Sequence, residues 1–226
     1  MNDVTADSAI ARPATLDKLA DAGSHKKTTR IQERNRQRIL TAALSVFSTA
    51  GYRGATIDRI AQAAGMSKPN LLYYFKTKQA IYIAVLELTL DSWLEPMTRL
   101  DASGDPIEEL WCYIEEKLEL SRQHPQASKL FANEILHGAP NIEGYLKTSL
   151  KQLVEEKAGV IRHWMSAGKI ADIDQVHLIF MIWATTQHYA DFDVQTEILA
   201  PGERDERFDT AKSTLRTIFM LGIKPR

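Results

Sequence analysis

Between Thr56 and Lys78 the chain reads TIDRIAQAAGMSKPNLLYYFKTK, and its residue types suit a particular chemistry. Lys68 offers a positive charge, Asn70 an amide able to pair with a base edge, and Tyr73 and Tyr74 two phenol hydroxyls. With Leu72 between them, these are groups a helix can present to the floor and walls of a DNA major groove. Lys76 and Lys78 follow at the start of the next helix, placed for phosphate contacts, and Arg34 and Arg36 lie upstream, where they can grip flanking backbone. The competing interpretation is a basic, solvated three-helix cap with no nucleic-acid role.

Two short helices joined by a tight turn are needed to hold this set. Ile57, Ile60, Ala61 and Ala64 follow the i, i+3, i+4, i+7 spacing of a short amphipathic helix, with Thr56 as its N-cap. Ala63 and Ala64 are small enough for close helix packing, and Gly65 can take the left-handed conformation that ends the first helix. Ser67 caps the second helix and Pro69 occupies its first turn, which directs Leu71 into the core beside Ile57, Ile60 and Ala61.

The formal charge of −1 argues at first against a phosphate-binding protein, yet it is a cancellation. Residues 25–78 hold eleven Lys or Arg against Glu33 and Asp58, a charge of +9; the other 172 residues hold 17 basic and 27 acidic groups, a charge of −10. Such asymmetry points to nucleic acid or a membrane surface. The stretch of strongest apolar character, 178–184, is too short to span a bilayer, and the first thirty residues lack the apolar run of a signal peptide, so the expectation is a cytoplasmic protein without a membrane partner. A single cysteine, Cys112, excludes an intrachain disulfide and is expected in the core. The histidines are too dispersed for a zinc motif, and no metal site is expected.

Helical periodicity runs from residue 29 almost to the end, without an alternating strand bounded by hairpin turns. The spacing predicts an all-α protein of nine helices: a disordered arm over 1–28, a helix-turn-helix domain over 29–78, and a second domain over 79–226. The long helix after Thr77 is expected to stop before Pro96, and the strongly apolar eighth helix to run from Asp174 through Tyr189.

The run Gly65-Met66-Ser67-Lys68-Pro69-Asn70-Leu71-Leu72-Tyr73-Tyr74-Phe75-Lys76-Thr77-Lys78 resembles the DNA-binding domain of the TetR family of repressors, and the resemblance covers about residues 33–80. Leu72 stands where that family commonly has Tyr, and Tyr74 where it commonly has His; Leu72 cannot donate to phosphate but can touch a thymine methyl. Tyr73 matches the family's phosphate-contacting tyrosine and Lys78 its lysine at the start of the fourth helix. Further on, 124–140 (HPQASKLFANEILHGAP) and 177–192 (HLIFMIWATTQHYADF) are similar to the regulators of pyrimidine utilisation within that family. That resemblance implies a homodimer that binds uracil, with thymine as a second ligand, inside each subunit and needs no cofactor.

The residues accommodate such a ligand. Uracil is flat and neutral with N–H donors and carbonyl acceptors, so it needs aromatic faces and an amide. Trp183 and Gln187 are i, i+4 on the eighth helix, one to flank the ring and one to pair its edge; Trp93 on the fourth helix can supply a second wall, with Asn133, Phe180 and Tyr189 as further candidates. Core packing for the tryptophans and a dimer interface for Gln187 are the rival roles. The eighth helix is apolar nearly all round and, with the last helix (Phe208, Ala211, Leu215, Ile218, Phe219), suggests a four-helix dimer interface that presents two reading helices to a palindromic operator. The expected function is repression of pyrimidine-utilisation genes, relieved by uracil. The alternative is a repressor answering a larger hydrophobic ligand, such as a drug or acyl chain. Phosphate loops, HExxH and a nucleophile elbow are absent, so no catalytic residues are assigned and no enzyme is expected.

Overall fold

The structure, a computed structural model, describes residues 30–225; the arm expected over 1–28 lies outside the described residues, as does Arg226. The described residues form ten helices and no strand. They are α1 (Arg30–Gly54), α2 (Ile57–Ala63), α3 (Lys68–Tyr74), α4 (Lys78–Thr98), α5 (Pro106–Gln123) and α6 (Pro125–Leu136). Next come α7 (143–166, with a π-helical segment over Leu146–Leu150), α8 (Gln175–Asp191), α9 (Asp193–Leu199) and α10 (Arg204–Gly222).

The tenth helix is α9. Phe192 leaves helical geometry (φ −116°, ψ 35°), and a new short helix starts one residue later. Its apolar residues Val194, Ile198 and Leu199 are exposed, so the stretch has no buried stripe from which periodicity could announce it. A second difference concerns α4, which continues through Pro96 to Thr98. Proline there costs only one bond near the helix end, and Arg99 and Leu100 bond back to the carbonyls of Pro96 and Met97 at 3.4 and 3.3 Å.

Two compact units make up the chain, one ending at Ser92 and one running from Trp93, and α4 contributes residues to each. In the first, Ile39, Ala43, Phe47, Ile60, Leu71 and Ile81 are buried. The ring of Tyr82 meets Phe47 edge-on at 5.0 Å and Tyr52 at 4.8 Å. In the second unit, α5 packs on α8 and α10, α6 on α8, and α7 on α8. Leu110, Ile114, Ile161, Trp164, Ile179 and Ile182 form its core. Trp164 donates its indole N–H to the Ala102 carbonyl at 3.0 Å, which satisfies the one polar atom of a fully buried side chain.

Cys112 is not core, as the sequence suggested, but exposed. On α5 the buried face is set by Leu110, Ile114, Lys117, Leu118 and Ser121, and at 100° per residue Cys112 falls on the opposite side. The close packing expected of Ala63 and Ala64 is likewise corrected to Ala61 and Ala64, since Ala63 faces outward.

Candidate DNA-reading surface and effector site

Local sequence builds the two helices of the reader as expected. Thr56 Oγ1 accepts from the Arg59 N–H at 3.2 Å, and Ser67 Oγ from the Asn70 N–H at 3.4 Å. Gly65 takes φ +63° between them. Arg38 of α1 donates to the Ala64 carbonyl at 2.8 Å, holding the end of α2. Leu71 is fully buried, so α3 turns its other face outward.

That outward face carries Lys68, Asn70 and Tyr73, all exposed, with Lys76 just beyond; Leu72 and Tyr74 are half-buried at its edges. Arg34 is exposed on α1 and Thr56 at the start of α2, positions from which phosphates can be reached. Three sites are more tied than the sequence indicated. Lys68 is paired with Asp58 at 2.9 Å. Arg36 lies over the Phe75 ring, 4.6 Å from its centroid. Lys78 is the clearest correction: instead of standing free for phosphate, its ammonium donates to the Tyr52 and Ala55 carbonyls at 2.7 and 2.9 Å and sits 4.5 Å over the Tyr52 ring. Lys78 thus ties the start of α4 to the end of α1 by charge-assisted bonds.

Sequence reasoning missed the residues that brace α3. Asn35 Nδ2 donates to the Tyr74 hydroxyl at 2.9 Å, and Gln32 Nε2 to the Tyr73 hydroxyl at 3.4 Å. Both come from α1, about forty residues away in sequence, and no local pattern could have found them. Tyr74 therefore serves α3 as a strut at least as much as a reader.

In the second unit the expected ligand residues divide into two groups. Trp183 and Gln187 lie on the side of α8 that faces α5, both half-buried. Trp183 donates its indole N–H to the Tyr113 hydroxyl at 2.6 Å. Trp93 is buried and meets Phe131 edge-on at 5.9 Å. Tyr189, in contrast, lies more than a third of a turn away on α8 and packs against Phe208 of α10, at 5.8 Å. There it helps line a cavity of about 590 Å³ between α8, α9 and α10, with Thr196, Leu199, Arg207 and Thr210. Phe180 is half exposed one turn before Trp183, and the two rings meet at 5.9 Å; Asn133 is exposed with its amide returned to the Lys129 carbonyl at 2.9 Å. Phe180 is thus gathered with Trp183 and Gln187, whereas Asn133 and Tyr189 are not, because each of those two lies on another face of its helix.

What joins Trp93 to Trp183 and Gln187 is a residue the sequence did not suggest. Lys117 is i, i+4 from Tyr113 on α5 and buried, 3% exposed. Its ammonium rests over the Trp93 ring at 4.4 Å and feels the charge of Asp191, two turns beyond Trp183 on α8. Among the described residues its Nζ has no hydrogen-bond acceptor. Burial lowers its pKa to about 7, against the pull of Asp191 toward the charged form. Asp191 accepts from the buried Ser128 hydroxyl of α6; burial raises its carboxyl above the ordinary range, with Ser128, Lys117, His188 and Lys129 opposing. Burial also pushes the Tyr113 phenol well above its usual value, with the Trp183 bond opposing. The stripe Trp183, Gln187, Asp191 on α8 therefore faces the stripe Tyr113, Lys117 on α5, flanked by Trp93 and Phe131. No group of His, Cys, Asp and Glu able to hold a metal occurs among the described residues.

Comparison with known proteins agrees with both halves. Residues 39–85 match the family described as bacterial regulatory proteins, tetR family, and 86–226 match the YcdC-like protein C-terminal region. The transcriptional regulator RutR of Escherichia coli K12 is 46% identical over 202 residues, covering 88% of this chain and 95% of that protein. The transcriptional repressor NicS of Pseudomonas putida is 30% identical over 164 residues, 70% of this chain and 76% of that one. Among solved structures, the ketosteroid regulator KstR2 of Mycobacterium tuberculosis superposes with a TM-score of 0.65 at 22% identity, covering 84% of this chain and 95% of that chain. A TetR-like regulator of Rhodococcus sp. RHA1 gives 0.60 at 22%, covering 87% and 100%. These relatives are transcriptional regulators, not enzymes, and no described helix is long and apolar enough to cross a membrane. With its helix-turn-helix capped and braced as above and matches that together span 39–226, the chain belongs to the TetR family of DNA-binding transcriptional regulators.

Proposed function

We propose that the protein is a repressor of pyrimidine-utilisation genes whose C-terminal unit binds uracil, and thymine as a second effector, in the seam between α5 and α8. One observation carries the reading: polar groups without protein partners are concentrated there between aromatic faces. The Lys117 ammonium, the Tyr113 hydroxyl proton and the Gln187 amide have no acceptor or donor among the described residues, and Trp93 and Trp183 supply flat walls. Hydrogen-bonding groups set between flat aromatic walls suit a small polar ring better than an acyl chain. The resemblance of 124–140 and 177–192 to pyrimidine regulators and the 46% identity to RutR support the same reading.

Dimerisation follows from an exposed apolar face. Phe180, Met181 and Phe192 on and just after α8, with Ile218 and Leu221 on α10, are each about half exposed or more in the single chain. A twofold partner placed there presents two α3 helices to successive major grooves about 34–36 Å apart, on a palindromic operator. Trp93 lies on α4, whose first residue, Lys78, is tied to the reading unit, so an effector that moves Trp93 acts on a helix shared with the reader. The extent of release is bounded by the effector's differential affinity for the two states.

Operator duplexes selected from random sequence should be palindromic and should be retarded by the pure protein. Uracil should release them and should raise the melting temperature of the free protein, while acyl chains and hydrophobic drugs should do neither. Retention of the complex at millimolar uracil, with release by an acyl chain, would assign the effector to the larger apolar class.

A further inference from the structure

The reader carries an acid where a DNA-binding surface has least use for one. Over 25–78 only Glu33 and Asp58 are acidic, against eleven basic residues. Asp58 stands in the first turn of α2, and its Oδ2 accepts from the Lys68 ammonium at the start of α3 at 2.9 Å. The two side chains are 67% and 49% exposed, and an exposed pair of this kind contributes little to the fold. The carboxylate also cancels one positive charge of the reader, which weakens sequence-independent attraction to phosphates. Neither stability nor general affinity for DNA accounts for it. What it does hold in place is Lys68, a side chain on the outward face of α3.

We propose that Asp58 and Lys68 act as one unit that reads a single G·C base pair, and its orientation, in the major groove, with Asp58 as a specificity-determining residue. After bonding Asp58, the Lys68 ammonium keeps two donors, and guanine offers O6 and N7 as acceptors. After accepting through Oδ2, the carboxylate keeps its other oxygen, and cytosine offers its N4 amino group. Guanine O6 and cytosine N4 are themselves hydrogen-bonded, at about 2.9 Å, so they match the spacing of the protein's donor and acceptor. An A·T pair in the same orientation sets an amino group against the ammonium and a carbonyl against the carboxylate, and inversion to C·G does the same. A T·A pair keeps both central groups but replaces the guanine N7 by the thymine methyl. The order of preference is therefore G·C, then T·A, then the other two. Without the carboxylate, Lys68 can swing to a guanine on either strand or to a phosphate, and orientation is no longer read.

The inference concerns the reader alone and holds whatever the effector is. Its test uses the full-length protein, an operator selected from random sequence and a replacement of each base pair in turn, read by fluorescence anisotropy. One position should hold G·C and should lose at least about fivefold on inversion or on change to A·T, and less on change to T·A. In Asp58→Ala, inversion at that position should cost no more than about twofold, all other positions should keep their wild-type costs, and random-sequence DNA should bind more tightly. Lys68→Ala should flatten the same position. With 7-deazaguanine there, which lacks the N7 acceptor, the wild-type protein should lose its preference for G·C over T·A, and this arm needs no variant to fold. Absence from the wild-type panel of any position with the stated order overturns the proposal. Flattening by Lys68→Ala but not by Asp58→Ala means that Lys68 reads alone and overturns the role of Asp58. An equal loss at every position in Asp58→Ala assigns the carboxylate to the scaffold and overturns it as well.

Discussion

Replacing Lys117 by Met should make the unliganded protein more stable, by an amount that depends on pH. A lysine with an ordinary pKa of 10.5 in the unfolded chain and about 7 when folded is destabilising wherever it must be charged inside. The difference amounts to about 5 kcal/mol at pH below both values, from about 1.4 kcal/mol per unit. Between the two pKa values the unfolded state binds more protons, so stability rises with pH: the penalty is complete below about pH 7, falls to about 2 kcal/mol near pH 9, and vanishes above about pH 10.5. The groups that face Lys117 are Trp93 from α4 and Asp191 from α8. Asp191 loses its attraction to the cation in the variant but keeps Ser128 and Lys129, which offsets part of the gain. The net expectation is a stabilisation of about 2–4 kcal/mol near neutrality, shrinking by about 2 kcal/mol toward pH 9. Urea unfolding of both proteins, at one protein concentration and several pH values, measures it. A difference that stays constant across this range, or a variant less stable than wild type near neutrality, would refute the reasoning.

Five further substitutions probe the scaffold. Tyr74→Phe removes the acceptor for Asn35 and should cost about 1 kcal/mol; Asn35→Ala should cost as much, and the double variant little more, in urea unfolding. Gly65→Ala forces a side chain into φ +63° and toward Arg38 Nη2 at 3.2 Å, for about 1–2 kcal/mol and a lower melting temperature. The Asp58–Lys68 pair is exposed on both sides (67% and 49%), so Asp58→Asn should leave stability within about 0.5 kcal/mol. The same change frees Lys68, and fluorescence anisotropy should show tighter operator binding with a salt slope steeper by about one. Lys157→Met should destabilise by about 1–2 kcal/mol, because it deprives the Leu100 carbonyl of its bonded ammonium at 3.2 Å.

The reader was legible because each of its devices is local. Thr56, Gly65, Ser67 and Leu71 act within one or two turns of themselves, and their spacing is therefore visible in the sequence. Its braces were not: Asn35 and Gln32 reach α3 from α1, and Lys78 closes on Tyr52 and Ala55 more than twenty residues back. The effector site divides the same way. The i, i+4 spacing of Trp183 and Gln187 gave one wall, and Trp93 joined them because aromatic residues announce themselves. Phe180, one turn before Trp183, keeps its ring against it, but Tyr189 shares the helix and the chemistry and rotation about the axis of α8 sends it elsewhere. Lys117 was invisible because its type argues for solvent, and only the packing of α5 on α8 buries it.

The contrast between the two buried lysines of the C-terminal unit separates scaffold from site. Lys157 and Lys117 are 6% and 3% exposed, and both lie on faces otherwise made of apolar residues. Lys157 bonds the Leu100 carbonyl and pairs with Glu156 at 3.0 Å, so its charge is matched inside the chain, where it fastens the end of α4 to α7. Lys117 has a ring face and a distant carboxylate, neither of which accepts its protons. A purely structural lysine would be expected to resemble the first. A buried charge without hydrogen bonds is instead stabilised when something else brings the acceptors, and the Tyr113 hydroxyl and the half-buried Gln187 amide belong to the same seam. The instability of the empty seam and its affinity for a carbonyl-bearing ring are then one property: the acceptors that relieve Lys117 are those of the ligand, and the protein gains on binding part of the stability it lacks without it.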